Sequence, residues 1–164
     1  TMGDAGSRTD DAVAVALLEK ELGFSFQHVH FNNSAEGFAA LLGGHIDVLM
    51  GNVSEAVTKG SEVLDIMVLS EERSAYLPDV QTAIEIGINV TNSSSRGVVA
   101  AKGLDENAKE LLIAALKGAM EDPELLENAE KQGIAVTPIY GEEFAVWAET
   151  QEKNIKSIYD MLDD

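Results

Sequence analysis

The stretch GDAGSRTDDAVAVALLEKELG, residues 3–23, joins a Gly- and Asp-rich turn directly to an amphipathic helix. Apolar residues from Ala12 to Leu22 recur at helical spacing, and Gly23 is typical of a residue that ends a helix. Turns of this kind often follow a β-strand and present backbone N–H groups to an anion. Because only Thr1 and Met2 precede this turn, we expect the preceding strand to be missing or nearly so.

Strand and helix patterns then alternate along the chain. Apolar and polar residues alternate in FSFQHVHF (24–31), which indicates a strand, and AEGFAALLGG (35–44) is a short helix that ends at paired glycines. HIDVLMG (45–51) is the next strand, EAVTKG (55–60) is a brief helix, and VLDIMVLS (63–70) is a third strand, apolar enough to be covered on both faces. This alternation with short loops predicts an α/β fold with a mostly parallel sheet flanked by helices.

The later part of the chain is mainly helical. LDENAKELLIAALKGAMED (104–122) is a strongly amphipathic helix, and DPELLENAEKQG (122–133) begins a further helix with a proline in its first turn. A final helix covers residues 141–164. Two short runs between these helical patterns are strand-like: Val98-Val99 and IAVTPIY (134–140).

Composition narrows the classes of protein to which this chain can belong. Its 164 residues suit one domain, or one domain and a piece of another, and 45% of them are hydrophobic, enough for a real core. A net charge of −18 argues against nucleic-acid binding, because phosphates would be repelled. The absence of cysteine excludes disulfides, a thiol nucleophile and Cys-ligated zinc. No apolar run approaches the roughly 20 residues of a membrane span, and no signal peptide is visible.

Three polar loops stand where strands end and helices begin: residues 3–9, 32–34 and 51–54. The carboxyl ends of parallel strands meet at one edge of a sheet, and ligands bind there at helix N-termini. Ser, Asn and Thr are also the preferred helix N-caps, which is the structural alternative, and Ser34 together with Asn52 or Ser54 are the expected caps. The residues of these loops that we predict to bind a ligand are Gly6, Ser7, Arg8, Thr9, Asn32, Asn33, Asn52 and Ser54.

Two arginines favour a carboxylate ligand. The pattern predicts that Arg8 lies in the first turn of a helix, where the helix dipole makes a positive charge unfavourable by about 0.3–1 kcal/mol. Residues that break such a local rule often occur at binding sites. Arg96 lies in the polar stretch NSSSRGVV (92–99), and we predict that it also contacts the ligand. The alternatives are an ion pair of Arg8 with Asp10 or Asp11 and an exposed loop position for Arg96.

Signals for catalysis or for a metal are weak. His28 and His30 lie on one face of a predicted strand, but spacing places no third ligand, so we predict no metal site and no cofactor. The chain contains no G-x-S-x-G elbow, no P-loop and no H-E-x-x-H motif. A hydrolase with Ser7 as nucleophile would need a positioned His–acid pair, which is not visible. We therefore predict a protein that is not an enzyme.

The order of motifs resembles that of the substrate-binding receptors of tripartite tricarboxylate transporters, the Bug-like solute receptors. LLGGHIDVLMG (41–51) and SEERSAYLPDV-x-T (70–82) carry the resemblance most specifically, and it extends in register over nearly the whole chain. The resemblance implies a type II periplasmic-binding-protein fold, with a small carboxylate held between two α/β lobes. Residues 1–97 would form lobe two, and residues 98–164 would be a C-terminal segment that returns to lobe one. The first part of lobe one would be absent, which makes the chain a fragment.

The resemblance also implies a setting and partners. Such receptors work in the periplasm, or otherwise outside the cytoplasm, and pass their ligand to membrane permease subunits. Family members often have His where this chain has Asp11, and an aromatic residue where it has Ser95, so the ligand is not specified. A homodimer of the chain is a further expectation, since its later helices lack part of their partner surface. The alternative function is an effector-binding domain of a cytoplasmic transcription regulator, which has the same two-lobe architecture.

Overall fold

Three parallel strands form the sheet of the computed structural model, which describes residues 1–162. They are β1 (Met2–Asp4), β2 (His28–His30) and β3 (Val48–Leu49), in the order β2-β1-β3, so that β2 and β3 are the edge strands. The strand that we expected to be missing, or nearly so, is therefore present and central. The predicted α/β class with a parallel sheet is confirmed.

Six α-helices accompany this sheet within residues 1–162, and they agree with the helical patterns of the sequence. Asn33 rather than Ser34 is the N-cap of the second helix, and Asn52 is the N-cap of the third. Gly23 ends the first helix in the left-handed conformation, with φ 72°. The helices are α1 (Asp10–Leu22), α2 (Ser34–Leu42), α3 (Val53–Lys59), α4 (Glu106–Met120), α5 (Pro123–Lys131) and α6 (Gly141–Leu162).

The core is built around α1. Most of this helix is buried on several sides, and Val15 and Leu18 are among the most deeply buried side chains of the described chain. Val13 and Ala16 pack against Ile158 of α6, so the C-terminal helix covers one face of α1. By contrast, no residue of α4 is buried. The predicted division of the chain at residue 97 stays a prediction.

The apolar run of residues 63–70 does not join the sheet, so the third predicted strand is wrong. Only Val68 forms a bridge, and its partner is Thr82. The backbone hydrogen bonds run from Val68 N–H to the carbonyl of Gln81 (3.0 Å) and from Ala83 N–H to the carbonyl of Val68 (2.9 Å). Leu64 is 88% exposed, so nothing in residues 1–162 covers the run on both faces.

Two further runs that the sequence pattern assigned to strands are irregular as well. Residues 98–99 and 134–140 have no strand partner in the described chain, and Val98 and Val99 are exposed. An apolar pattern therefore indicates a capacity to form a strand, which is realised only where a neighbouring edge is available. Within residues 1–162, no helix combines the length and the apolar character needed to cross a membrane.

Gly3 in the central strand provides a test of this packing. A Cβ atom at Gly3 would lie 2.6 Å from Ile46 Cδ1, 3.0 Å from Phe31 Cε2 and 3.2 Å from Leu49 Cδ1. We expect Gly3→Ala to lower the free energy of unfolding by about 1–3 kcal/mol, because three side chains would have to move at once. Urea unfolding followed by circular dichroism measures this change.

Gly118→Ala in α4 is the matched control, because a Cβ there meets nothing within 4 Å. In a helix interior this substitution should raise stability by about 0.5–1 kcal/mol. Equal midpoints for the two variants would contradict the tight packing around β1.

Candidate functional site

The three predicted loops lie at one edge of the sheet, which we call the loop edge: residues 5–9, 31–33 and 50–52. Asp4 ends β1 and pairs with His30 at the end of β2, while Gly3 pairs with Leu49 at the end of β3. Since all three strands are parallel, the loops that follow them leave the sheet on the same side. This is the arrangement that the alternation of strands and helices predicts, and the ligand itself stays a prediction.

The loop after β1 is closed by its own polar groups. Gly6, at φ 131°, donates its N–H to Asp4 Oδ1 at 2.9 Å, and its carbonyl accepts a hydrogen bond from Thr9 Oγ1 at 2.8 Å. Thr9 is the N-cap of α1. Ser7 and Arg8 lie at the exposed tip of the loop, so Arg8 precedes the N-cap and the prediction that it lies in the first turn of the helix is wrong. The Arg8 carbonyl accepts a hydrogen bond from Tyr159 of α6 at 3.3 Å.

The loop after β2 holds a carboxylate of the chain itself. Glu36 Oε2 accepts hydrogen bonds from the Asn32 backbone N–H at 3.3 Å and from Asn32 Nδ2 at 3.0 Å. Its other oxygen accepts one from Asn33 Nδ2 at 3.3 Å. Asn33 Oδ1 in turn accepts the Glu36 N–H at 3.0 Å, which caps α2. Both predicted asparagines thus bind a carboxylate, although it comes from within the protein.

The loop after β3 repeats this chemistry. The Asn52 N–H donates to Glu55 Oε2 at 2.9 Å, at the start of α3. The Ser54 carbonyl accepts a hydrogen bond from Thr58 Oγ1 within the same helix at 2.8 Å. At all three loops, therefore, a backbone N–H group is already paired with an acidic side chain of the chain.

Asp11, in the first turn of α1, is a buried acid with a raised pKa. It is 5% exposed and accepts a hydrogen bond from the Ala5 N–H at 3.3 Å. Burial raises the pKa of the Asp11 carboxyl from 3.8 to about 6, and the nearby Asp10 carboxylate adds to the rise. Glu55 and Asp4 act in the same direction, while the hydrogen bond from Ala5 lowers the pKa. The loop edge therefore contains a carboxyl group that takes up a proton under mildly acidic conditions.

A cleft of about 1120 Å³ opens beside the loop edge. Its walls come from α1, β3, α3, the irregular segment of residues 62–77 and the later loops. Asn92 Nδ2 donates to the Asp10 carbonyl at 3.0 Å, which brings the loop of residues 92–95 against the start of α1. Of the predicted ligand residues, only Asn52 and Ser54 line this cleft.

The other predicted residues lie outside the lining of the cleft. They are Gly6, Ser7, Arg8, Thr9, Asn32, Asn33 and Arg96. Arg96 is exposed, and its Nη1 donates to Ser94 Oγ at 2.9 Å within its own loop. Sequence reasoning missed several polar residues of the lining, and the run NSSS (92–95) signalled only the last four of them: Ser74, Tyr76, Asn92, Ser93, Ser94 and Ser95.

The cleft is acidic. Six carboxylate residues line it, and none of the lining residues, all within residues 1–162, is a Lys, Arg or His. The six are Asp10, Asp11, Asp47, Glu62, Asp65 and Glu72. An anion in this cleft would meet only neutral donors, whereas an ammonium or hydroxyl group would meet acceptors.

Asp4 lies close to the pair of histidines. Asp4 Oδ1 lies 2.8 Å from His30 Nδ1, and the side chains of Asp4, His28 and His30 offer ligand atoms within 4.8 Å of one another. Spacing alone placed only the two imidazoles, because Asp4 lies on a different strand. This group faces α1, since Glu19 of α1 contacts His28 Nε2 at 2.9 Å.

Comparison with known sequences gives one family. The chain matches the family described as "TctC: Tripartite tricarboxylate transporter family receptor" over residues 1–163. It is 31% identical over 164 residues to "UPF0065 protein in gbd 5'region" of Cupriavidus necator, a match that covers 99% of this chain and 50% of the relative. A protein of Pseudomonas sp. (strain P51), "UPF0065 protein in tcbD-tcbE intergenic region", is 27% identical over 140 residues. This match covers 82% of this chain and 41% of the relative.

Two solved structures share the fold. A TctC solute binding protein from Polaromonas superposes with a TM-score of 0.78 at 24% identity, covering 98% of this chain and 56% of that one. A structure described as a periplasmic transporter superposes with a TM-score of 0.73 at 20% identity. The match covers 100% of this chain and 53% of that one. The predicted periplasmic-binding-protein fold is thereby confirmed. The chain spans about half the length of the relatives and structures it matches.

The raised pKa of Asp11 predicts a pH dependence of stability. The folded-state pKa of about 6 exceeds the usual 3.8, so folding is favoured by protonation of Asp11 below about pH 4, and this contribution is lost as the pH rises through 6. Asp11→Asn removes the buried charge and keeps an oxygen for the Ala5 N–H. After allowance for solvent screening, we expect the free energy of unfolding of the variant to exceed that of the wild type by about 1 kcal/mol at pH 7.5. At pH 4 the two free energies should be nearly equal.

Urea unfolding at several pH values measures the difference between the two proteins. Glu149→Gln, at an exposed position of α6, is the control with the same change in charge. If Asp11→Asn and Glu149→Gln showed the same pH profile, burial of Asp11 would not be the cause of the effect.

Proposed function

Because the chain belongs to the TctC family of tripartite tricarboxylate transporter receptors, we propose that it forms the ligand-binding part of a receptor that captures a small organic carboxylate. The receptor works outside the cytoplasm and passes its ligand to membrane subunits of a transporter. The proposal contains no catalytic step, in keeping with the family's description as a receptor. The family match favours this function over the effector-binding domain of a transcription regulator.

The observation that carries the carboxylate proposal is the environment of Glu36. Its two oxygens accept hydrogen bonds from one backbone N–H and two side-chain amides, on Asn32 and Asn33. This is how neutral donors stabilise an anion without a partner cation. The loop edge therefore has donors with the spacing that a carboxylate needs, and we propose that the ligand's carboxylate exchanges with the side chain of Glu36.

The remaining loops would complete the contacts. Ser7 and Thr9 supply hydroxyl groups beside the N-terminus of α1, and the dipole of this 13-residue helix favours a negative charge there. Asp11 would oppose the ligand while ionised, but its pKa of about 6 allows the protonated carboxyl to donate a hydrogen bond under mildly acidic conditions. Binding at this edge thus becomes more favourable as the pH falls.

A second ligand class is favoured by the cleft. Its lining includes six carboxylate residues and no basic residue, and Asn52, Asn92 and Ser94 add neutral polar groups. A solute with ammonium or hydroxyl groups would be better matched to this surface than an acid. The receptor function would be the same, and only the transported compound would differ. The predicted homodimer also stays a prediction, which the exposed apolar residues of α4 make worth testing.

Calorimetric titration with a panel of solutes tests the proposal. The panel contains mono-, di- and tricarboxylates, their amide analogues, polyols and small diamines. We expect at least one carboxylate to bind and its amide to fail. Saturable binding of a diamine or polyol, with no response to any carboxylate, would replace the first ligand class by the second.

Glu36→Gln sharpens the same experiment. The variant keeps an acceptor oxygen at the cap of α2 and removes the competing negative charge, so we expect the affinity for the carboxylate to rise roughly tenfold. Glu110→Gln, at an exposed position of α4, is the control and should leave the affinity unchanged. If Glu36→Gln also leaves it unchanged, the ligand does not bind at Asn32 and Asn33.

A further inference from the structure

We propose that Asp4, His28 and His30, called here the His–Asp cluster, bind a divalent transition-metal ion such as Zn²⁺. The cluster lies on β1 and β2, where Glu19 of α1 contacts His28. This inference does not depend on the proposed receptor function. No part of it requires the carboxylate ligand.

Strand register brings the three side chains together. Met2 pairs with His28 and Asp4 pairs with His30 across the β1–β2 ladder. Residues two apart on a strand point to the same face, so both imidazoles and the Asp4 carboxylate share one side of the sheet. One nitrogen of each ring and one oxygen of Asp4 all lie within 4.8 Å of one another. The two rings are 5.7 Å apart between centroids.

The donor set selects a class of metal. Two imidazoles and one carboxylate suit Zn²⁺, Co²⁺, Ni²⁺ and Cu²⁺, whereas Mg²⁺ and Ca²⁺ prefer oxygen ligands alone. Zinc bonds of about 2.0–2.2 Å place tetrahedral ligand atoms about 3.3 Å apart, so the ligands must draw together slightly. The side chains of His28 and His30 are 28% and 43% exposed, which leaves them room to rotate and leaves the metal an entry path from solvent.

The surroundings of the cluster are arranged as around a metal centre. Asp4 is completely buried and its Oδ1 accepts the Gly6 N–H at 2.9 Å, which fixes the carboxylate in place. Glu19 contacts His28 Nε2 at 2.9 Å and is itself held by the Phe26 N–H at 2.6 Å. A carboxylate that orients a metal-binding imidazole is the usual outer partner in such sites.

Charge also favours a cation at this position. Asp4 contacts His30 and Glu19 contacts His28, so two carboxylate residues act on the same region. Without a metal, His30 Nδ1 and Asp4 satisfy each other through a hydrogen bond of 2.8 Å. On binding, the metal ion takes the place of the proton in this bond, and the neutral ring then carries its proton on Nε2.

Titration calorimetry of tag-free, chelator-treated protein with Zn²⁺ tests the site. We expect saturable binding of one ion per chain, no comparable signal with Mg²⁺, and visible absorption bands on addition of Co²⁺ that report nitrogen ligation. His28→Gln and His30→Gln should each weaken Zn²⁺ binding by at least about tenfold. His45→Gln, which alters the one remaining histidine of the chain, is the matched control and should bind as the wild type does.

Thermal unfolding of each variant without metal shows whether it is folded. His28→Gln and His30→Gln provide the decisive comparison, because their rings are partly exposed. Replacement of the buried Asp4 would instead disturb the sheet itself. Equal Zn²⁺ affinity for His28→Gln, His30→Gln and His45→Gln would overturn the proposal. Weak binding of several ions, matched by Mg²⁺, would also overturn it, because the acidic surface would then be responsible. Neither outcome bears on the binding of a carboxylate.

Discussion

The pairing of β1 with a parallel strand on each side is the interaction on which the rest of the structure depends. β1 has only three residues, yet it forms ladders with both β2 and β3. Because the three strands run in one direction, the loops that follow them lie together, and the helices that start from these loops present their N-termini to the same edge. The same strand places Asp4 at the end of the ladder, where it belongs both to the loop edge and to the His–Asp cluster.

Local signals made the helices and the fold class predictable. Gly23 and Pro123 mark helix ends through conformational preferences that act within one turn, and the alternation of elements is enough to indicate a parallel sheet. The central strand was not predictable, because three residues carry no periodicity and become a strand only through their two neighbours. Residues 63–70 show the converse: the pattern is strand-like, but only Val68 has a bridge partner, so the strand does not form.

The position of the site was predictable, but the partners of its residues were not. Parallel strands explain why loops distant in sequence meet. The spacing of Asn33 and Glu36 is that of a helix capping box, which is a local signal for Glu36 turning back over the start of α2. Nothing local indicates that Asn92 reaches the Asp10 carbonyl. The third member of the His–Asp cluster was hidden for the same reason, since it depends on the register between β1 and β2. The preference of Ser, Thr and Asn for helix caps accounts for Thr9 and Asn33, and it does not distinguish a cap from a ligand contact.

The sheet ends at β3, and nearby the run of residues 63–70 leaves Leu64 and Ile66 exposed. An edge strand beside apolar residues is a surface on which another chain can add a strand. The net charge of −18 opposes this by mutual repulsion, but at physiological salt that repulsion reaches only about 8 Å. Ionic strength thus acts on the approach of two molecules: dilute buffer keeps them apart, and added salt weakens the repulsion that separates their β3 edges.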